Sequence, residues 1–170
     1  MNDRAPAPGE LALIESLVNT LDVETGLDSL DTAAGRASFA LGDGDIAAAK
    51  ELREALRAAC LAHAGHGPPD DSAALDLDRL LAAAPLLLTV DASGAASLRP
   101  ADPVPLVSRV AAAIAEAMAE GTWLRLKACE AEDCRWAYYD RSPAGRSRWC
   151  TMSVCGSRAK MRAYRARQAR

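Results

Sequence analysis

The sequence lacks any stretch long and apolar enough to span a bilayer. Its most apolar run, Ala82 to Val90, is interrupted by Pro85, whereas a spanning helix needs about 20 consecutive apolar residues. A basic segment leading into an apolar core is missing from its start, so neither a secretory signal nor a membrane anchor is expected. Polar low-complexity tracts are missing too, which confines expected disorder to the two ends. No nucleophile elbow, phosphate loop or open metal site occurs, and enzymatic activity is not expected. Aromatic residues are nearly absent from the first 120 positions, where Phe39 is the only one.

Half of the chain is apolar and much of that is alanine, which favours helix over sheet. A length of 170 residues suits one compact domain, or one domain with a small appended module. The net charge of −3 conceals a division: residues 1–120 hold 8 Lys and Arg against 19 Asp and Glu (−11), and residues 121–170 hold 12 against 4 (+8). Trp123, Trp136, Tyr138, Tyr139, Trp149 and Tyr164 all lie in the basic part. Both shifts fall at about Gly121. The expected organisation is therefore a mobile lead-in over 1–8, an acidic domain over 9–120 and a small basic module over 121–170.

Hydrophobic spacing predicts a mainly α, α+β fold. Leu11, Ile14, Leu17, Val18 and Leu21 share one face of a first helix, closed by Asn19-Thr20, and a second helix runs from Thr25, its cap, through Leu27, Leu30 and Ala34 until Gly35 weakens it. Asp45 caps a long helix through Ile46, Ala49, Leu52, Leu56 and Ala59 to His63, with Lys50, Glu51, Arg53, Glu54 and Arg57 on a solvated outer face. A loop with Pro68-Pro69 precedes a short helix starting at Asp71-Ser72 and stopped by Pro85. Leu86–Val90 and Ala95–Arg99 form a hairpin that packs its apolar face on the helices. A last long helix starts near Pro103, buries Val104, Val107, Val110, Ile114 and Met118, and stops at Gly121. Trp123–Lys127 alternates like a strand, and Trp136–Asp140 with Arg146–Trp149 reads as a second hairpin around Arg141–Gly145. From Gly156 the sequence is helical and basic.

The most informative pattern is in the cysteines. Four of the five form two C-x4-C pairs, Cys129/Cys134 and Cys150/Cys155, fifteen residues apart. Two knuckles on separate turns can close a thiolate tetrahedron around one Zn2+ ion, and such a site is structural because no coordination position stays open. Paired cysteines without an export signal point to a reducing, cytoplasmic setting. A module of about fifty residues cannot bury much apolar surface, so metal and the rings of Trp136, Tyr138 and Trp149 substitute for a core. Cys60 reads as a small buried hydrophobe. His63 and His66 read as residues of a solvated loop, and Asp22, Glu24, Asp28 and Asp31 as a carboxylate-rich helix start.

The segment Cys129 to Lys160, with Cys-Arg-Trp-Ala-Tyr-Tyr-Asp-Arg-Ser at 134–142 and Arg-Trp-Cys-Thr-Met-Ser-Val-Cys-Gly-Ser-Arg-Ala-Lys at 148–160, resembles the CGNR zinc finger. The preceding part, through Leu-Val-Asn-Thr-Leu at 17–21 and its helical layout, resembles the ABATE domain that accompanies this finger in bacterial stress-induced transcription regulators. The resemblance implies that Cys129, Cys134, Cys150 and Cys155 bind zinc and that the finger contacts DNA. The name-giving tetrad reads Cys155-Gly156-Ser157-Arg158 here, with serine in place of asparagine, and a serine there can cap the following helix. On that helix Arg158, Arg162 and Arg165 share a face, with Lys160 close by and Arg141, Arg146 and Arg148 of the second hairpin as neighbours: a candidate phosphate-binding surface. The alternative is a protein-interaction module, in which the basic end meets an acidic protein partner or the acidic domain of a second copy.

Overall fold

The structure, a computed structural model, describes residues 5–67 and 72–168. The order is α1 (Leu11–Val18), α2 (Ala33–Ala37), α3 (Ile46–His63), α4 (Ser72–Ala82), β1 (Leu86–Val90), β2 (Ala96–Pro100), α5 (Leu106–Ala119), β3 (Leu126–Ala128), β4 (Ala137–Tyr139) and α6 (Ser157–Gln168). The strands form two separate two-stranded antiparallel sheets, β1 with β2 and β3 with β4. The Pro68-Pro69 loop and the Asp71 helix start lie outside the described residues.

One buried cluster holds the molecule together. α1 contributes Leu11, Ile14, Leu17 and Val18, α3 contributes Ala49, Leu52, Leu56 and Cys60, and α5 contributes Val110, Ala113, Ile114 and Ala117. Each leucine or isoleucine so buried is worth about 1.5–3 kcal/mol. The cluster continues past Gly121, where the backbone takes φ +68° to end the α5 region, into Leu126 and Ala128 of β3 and Ala137 of β4. The shift in charge along the chain is thus not a break in packing.

Several elements differ from the sequence expectation. No helix starts at Thr25: residues 22–28 form a tight loop closed by the Leu21–Asp28 bridge, with Gly26 at φ +74° and Leu27 exposed. Asp28 instead caps a 3-10 turn, Ser29–Asp31, and Thr32 caps α2 by accepting from the Gly35 N–H. Gly35 does not weaken that helix; a Cβ there would lie 1.9 Å from the Ser29 carbonyl oxygen, so only glycine permits the close approach. On α5 the helix begins after Pro105, and Val104 and Met118 are exposed while Leu106 and Ala113 are buried. Trp123–Arg125 is a 3-10 turn, leaving only Leu126–Ala128 as strand. The first hairpin forms as Leu86–Val90 with Ala96–Pro100 and lies against α5, but Leu87, Leu88, Val90 and Leu98 remain exposed.

The largest departure concerns α3. Its supposedly solvated face is turned inward at Arg53 and Arg57, which are 4% and 5% exposed. Arg53 donates to Asp28 at 2.7 Å and to Thr20 at 3.2 Å. Arg57 donates to the carbonyls of Val18 and Arg135, both at 2.8 Å, and so ties α1 to the segment between Cys134 and β4. Asn19 adds a second tie: its side-chain amide donates to the Ala137 carbonyl at 3.0 Å and accepts from the Ala137 N–H at 2.7 Å, as a neighbouring strand would. His63, far from lying in a solvated loop, stands edge-on to Trp123 at 4.8 Å. Its Nδ1 lies 2.8 Å from the Leu126 carbonyl, which can only accept, so that nitrogen carries the proton. Residues 5–8 are anchored too: the Ala7 N–H donates to Glu15, and Arg141 donates to the carbonyls of Ala5 and Pro6.

Removing the Arg57 clamp strands the buried Val18 carbonyl and the half-buried Arg135 carbonyl. Arg57→Ala is expected to lower stability by about 2–4 kcal/mol, read as a drop in Tm of several degrees. Arg79→Ala, at an exposed pair with Glu51, should change it by about 0.5 kcal/mol or less. Differential scanning calorimetry of both variants checks the contrast.

Candidate metal centre and basic helix

β3 delivers Cys129, whose N–H donates to the Trp136 carbonyl at 2.9 Å. The chain then turns so that the N–H groups of Cys134 and Arg135 both donate to the Ala131 carbonyl, at 2.9 and 3.0 Å. Arg135 takes φ +53° to leave this knuckle. Residues 146–149 form no strand. The partner of β4 is β3, with Leu126 opposite Tyr139 and Ala128 opposite Ala137. The expected hairpin over 136–149 is therefore replaced by a sheet that runs back across the first knuckle. This pairing is favoured because it buries Ala128 and Ala137 in the main core. The second knuckle is a tight turn over Met152–Gly156, in which a Cβ at Gly156 would come 2.8 Å from the Met152 sulfur.

The two knuckles bring the four Sγ atoms of Cys129, Cys134, Cys150 and Cys155 within 4.8 Å of one another. Cys134–Cys150 and Cys150–Cys155 are both 3.6 Å apart. Tetrahedral Zn–S bonds of about 2.3 Å require sulfur separations of about 3.8 Å, whereas a disulfide requires about 2.05 Å. The quartet fits one metal ion and not two disulfides. Among the described residues it is the one group of three or more potential ligands close enough to hold a metal. Tyr138 is buried against it and its hydroxyl donates to the Ser147 carbonyl at 2.7 Å, with Trp136 and Trp149 packed alongside.

Crowding the sulfurs has an electrostatic consequence. Thiol donation from Cys134 and then Cys150 pulls Cys129 well below the ordinary thiol range. The same hydrogen bond, given to Cys129, pushes Cys134 far up. Four thiolates this close repel one another and require a cation of charge two in their midst. Cys60, by contrast, is pushed up to about 12 by burial and is an inert member of the core.

Between the knuckles, Asp140 organises the loop. It is 0% exposed and accepts from the Ser142 N–H at 3.0 Å, the Ser147 N–H at 2.9 Å, the Ser147 hydroxyl at 2.8 Å and Lys127 Nζ at 3.0 Å. Burial pushes its carboxyl up, but the Ser142 and Ser147 donors outweigh it and hold the group well below the usual carboxylate range.

The candidate nucleic-acid residues are engaged in different ways. Arg141 is engaged with the Ala5 and Pro6 carbonyls, and Arg148 makes a bidentate pair with Glu130 at 2.5–2.6 Å. Both stay exposed, and Arg148 shares a cleft with Lys160 and Arg162 of α6. Arg158 pairs with Glu24 at 3.3 Å and Asp133 at 3.8 Å, and Arg162 with Asp133 at 3.9 Å. Arg158, Lys160, Arg162 and Arg165 share α6, which contains no buried residue; Arg146 is exposed on the loop. Ser157 does not cap α6, since its hydroxyl donates back to the Met152 carbonyl at 3.0 Å. The acidic run is a helix start only in part: Asp28 caps the 3-10 turn that contains Asp31, and both pair with α3, whereas Asp22 closes its own loop and Glu24 reaches α6.

Residues 125–168 match the family model of the CGNR zinc finger. Residues 11–121 match the model of ABATE, described as "Putative stress-induced transcription regulator". The chain belongs to the ABATE family. A search of curated proteins found no match. In this ABATE chain the four cysteines of the CGNR finger are positioned to bind a single structural zinc. No helix among the described residues is long and apolar enough to cross a membrane. Sequence reasoning missed Asn19, Arg57, Lys127 and Asp140 as supports of the finger. The only available signal was that Asp140 is the sole acid between the two cysteine pairs.

Two outcomes test the site. Cys150→Ser is expected to reduce bound zinc from one per chain to none and to disorder the finger, measured by elemental analysis and tryptophan fluorescence. Because the Asp140 carboxyl is depressed in the fold, its contribution is fully present above the unfolded value of about 4 and is lost as pH falls through the folded value. The stability gap between wild type and Asp140→Asn should be constant above pH ~4 and close below it in acid-denaturation curves.

Proposed function

We propose that this protein is a cytoplasmic transcription regulator that docks on DNA through the helix presented by its zinc centre. The observation that carries the reading is α6 itself. From Ser157 to Gln168 it holds Arg158, Lys160, Arg162, Arg165 and Arg167, no acid and no buried side chain. A helix of this kind repels itself and gains nothing from apolar packing, so a polyanion is the partner that stabilises it. The zinc centre fixes the start of α6, and Arg146 on the adjoining loop extends the charge. The ABATE part is assigned a sensing or assembly role, supported by a cavity of about 410 Å3 lined by Leu41, Ala48, Leu52, Leu80, Pro105 and Val107, a volume in the range of small-molecule sites.

A second reading, an acidic protein surface as partner, is favoured by one observation: Arg158 already takes the Glu24 carboxylate. Fluorescence polarisation with a mixed-sequence duplex over a series of salt concentrations separates the two. On the DNA reading, log K falls linearly with log salt, and changing Arg158, Arg162 and Arg165 together to alanine weakens binding and lowers the slope by about 2–3. Binding to poly-glutamate as tight as to duplex would favour the protein partner, and a flat salt response would overturn both electrostatic readings.

A further inference from the structure

The acidic loop of the ABATE part and the first zinc knuckle both place a carboxylate against α6. Glu24 lies 3.3 Å from Arg158, and Asp133 lies 3.8 Å from Arg158 and 3.9 Å from Arg162. Neither carboxylate hangs on a slack segment. The loop bearing Glu24 is closed by the Leu21–Asp28 bridge, by the Asp22 N–H donating to Leu27 at 2.9 Å and the Gly26 N–H donating to Asp22 at 2.8 Å, and by the Asp22 carboxylate accepting from Glu24 and Thr25. Asp133 sits between Cys129 and Cys134, inside the knuckle whose geometry the metal site sets. Together these groups and Arg158 line a cleft of about 180 Å3 beside the Cys134, Cys150 and Cys155 side chains.

We propose that Glu24 and Asp133 are built-in competitors for the phosphate-facing arginines of α6, and that they set the strength of DNA binding. The inference rests on the DNA reading above. Both carboxylates occupy the guanidinium positions a phosphate would take, so docking exchanges these pairs for phosphate contacts. An exposed ion pair shifts such an exchange by only about 1.4- to 5-fold. Duplex DNA, with a charge every ~1.7 Å of its axis, overcomes it. The competition therefore tempers binding without abolishing it. Arg165 and Lys160, for which no such carboxylate pair is observed among the described residues, make the first contacts. Arg158 and Arg162 follow by exchange.

The test uses full-length, zinc-loaded protein and a 30-base-pair mixed-sequence duplex in polarisation titrations at fixed low salt. Glu24→Gln combined with Asp133→Asn is expected to bind about three- to tenfold tighter than wild type, with zinc content and Tm unchanged. In a background carrying Arg158→Ala and Arg162→Ala, the same two changes should alter affinity less than about twofold. Wild-type binding with no gain in the carboxylate variant overturns the competition, and so does a gain that persists undiminished in the arginine-free background, which would reflect net charge alone. If neither wild type nor variant binds duplex at low salt, the DNA reading itself fails and this inference falls with it.

Discussion

Four sulfur atoms held within 4.8 Å of one another are the constraint on which the C-terminal part depends. As thiols they contribute little cohesion, and as thiolates they repel. Only a cation among them turns the repulsion into the strongest attraction available to so small a segment. The two knuckles come from stretches fifteen residues apart, and their closure sets where the turn over Met152–Gly156 lies and where α6 starts.

The metal does not act alone. Asp140 draws Lys127 and both serines of its loop onto one carboxylate, and does so at 0% exposure. A buried acid with this many donors is kept ionised by them, and the loop is held because each donor would otherwise be left unpaired. On the other side, Arg57, Asn19 and His63 reach across from the helices to backbone atoms of the finger. These are contacts to carbonyl and N–H groups, which any residue supplies. The finger is thus joined to the helical part through its backbone and through a shared apolar core, with one charged pair of its own, Lys127 and Asp140, buried inside it.

That arrangement gives the charge division a physical sense. A strongly acidic segment and a strongly basic one attract each other along one chain, yet the structure lets only a few of these charges meet. Arg141 and Arg148 are exposed but already paired within the chain, Arg158 and Arg162 rest against carboxylates, and α6 buries none of its residues. The cationic surface on offer is smaller than the count of arginines suggests, and is concentrated on one helix that has no other packing role.

The cysteine spacing, the helical periodicity of α1, α3 and α5 and the basic character of α6 were determined by the sequence itself, because each depends on neighbours within a few turns or on one repeated residue type. Local spacing could not say which way a mixed face turns. Arg53 and Arg57 sit among Lys50, Glu51 and Glu54 in a pattern that reads as solvated, and became buried only because Asp28, Val18 and Arg135 arrive from distant positions to pair with them. The partner of β4 was likewise decided by tertiary structure, since β3 offers the core a matching apolar face that residues 146–149 do not. The acidic run over 22–31 has several meanings for the same reason: Asp22 closes its own loop, whereas Asp28 and Asp31 answer to α3 and Glu24 to α6. The ligands of the metal were legible; what the metal holds in place, and which arginines it leaves free, depended on contacts more than a hundred residues apart.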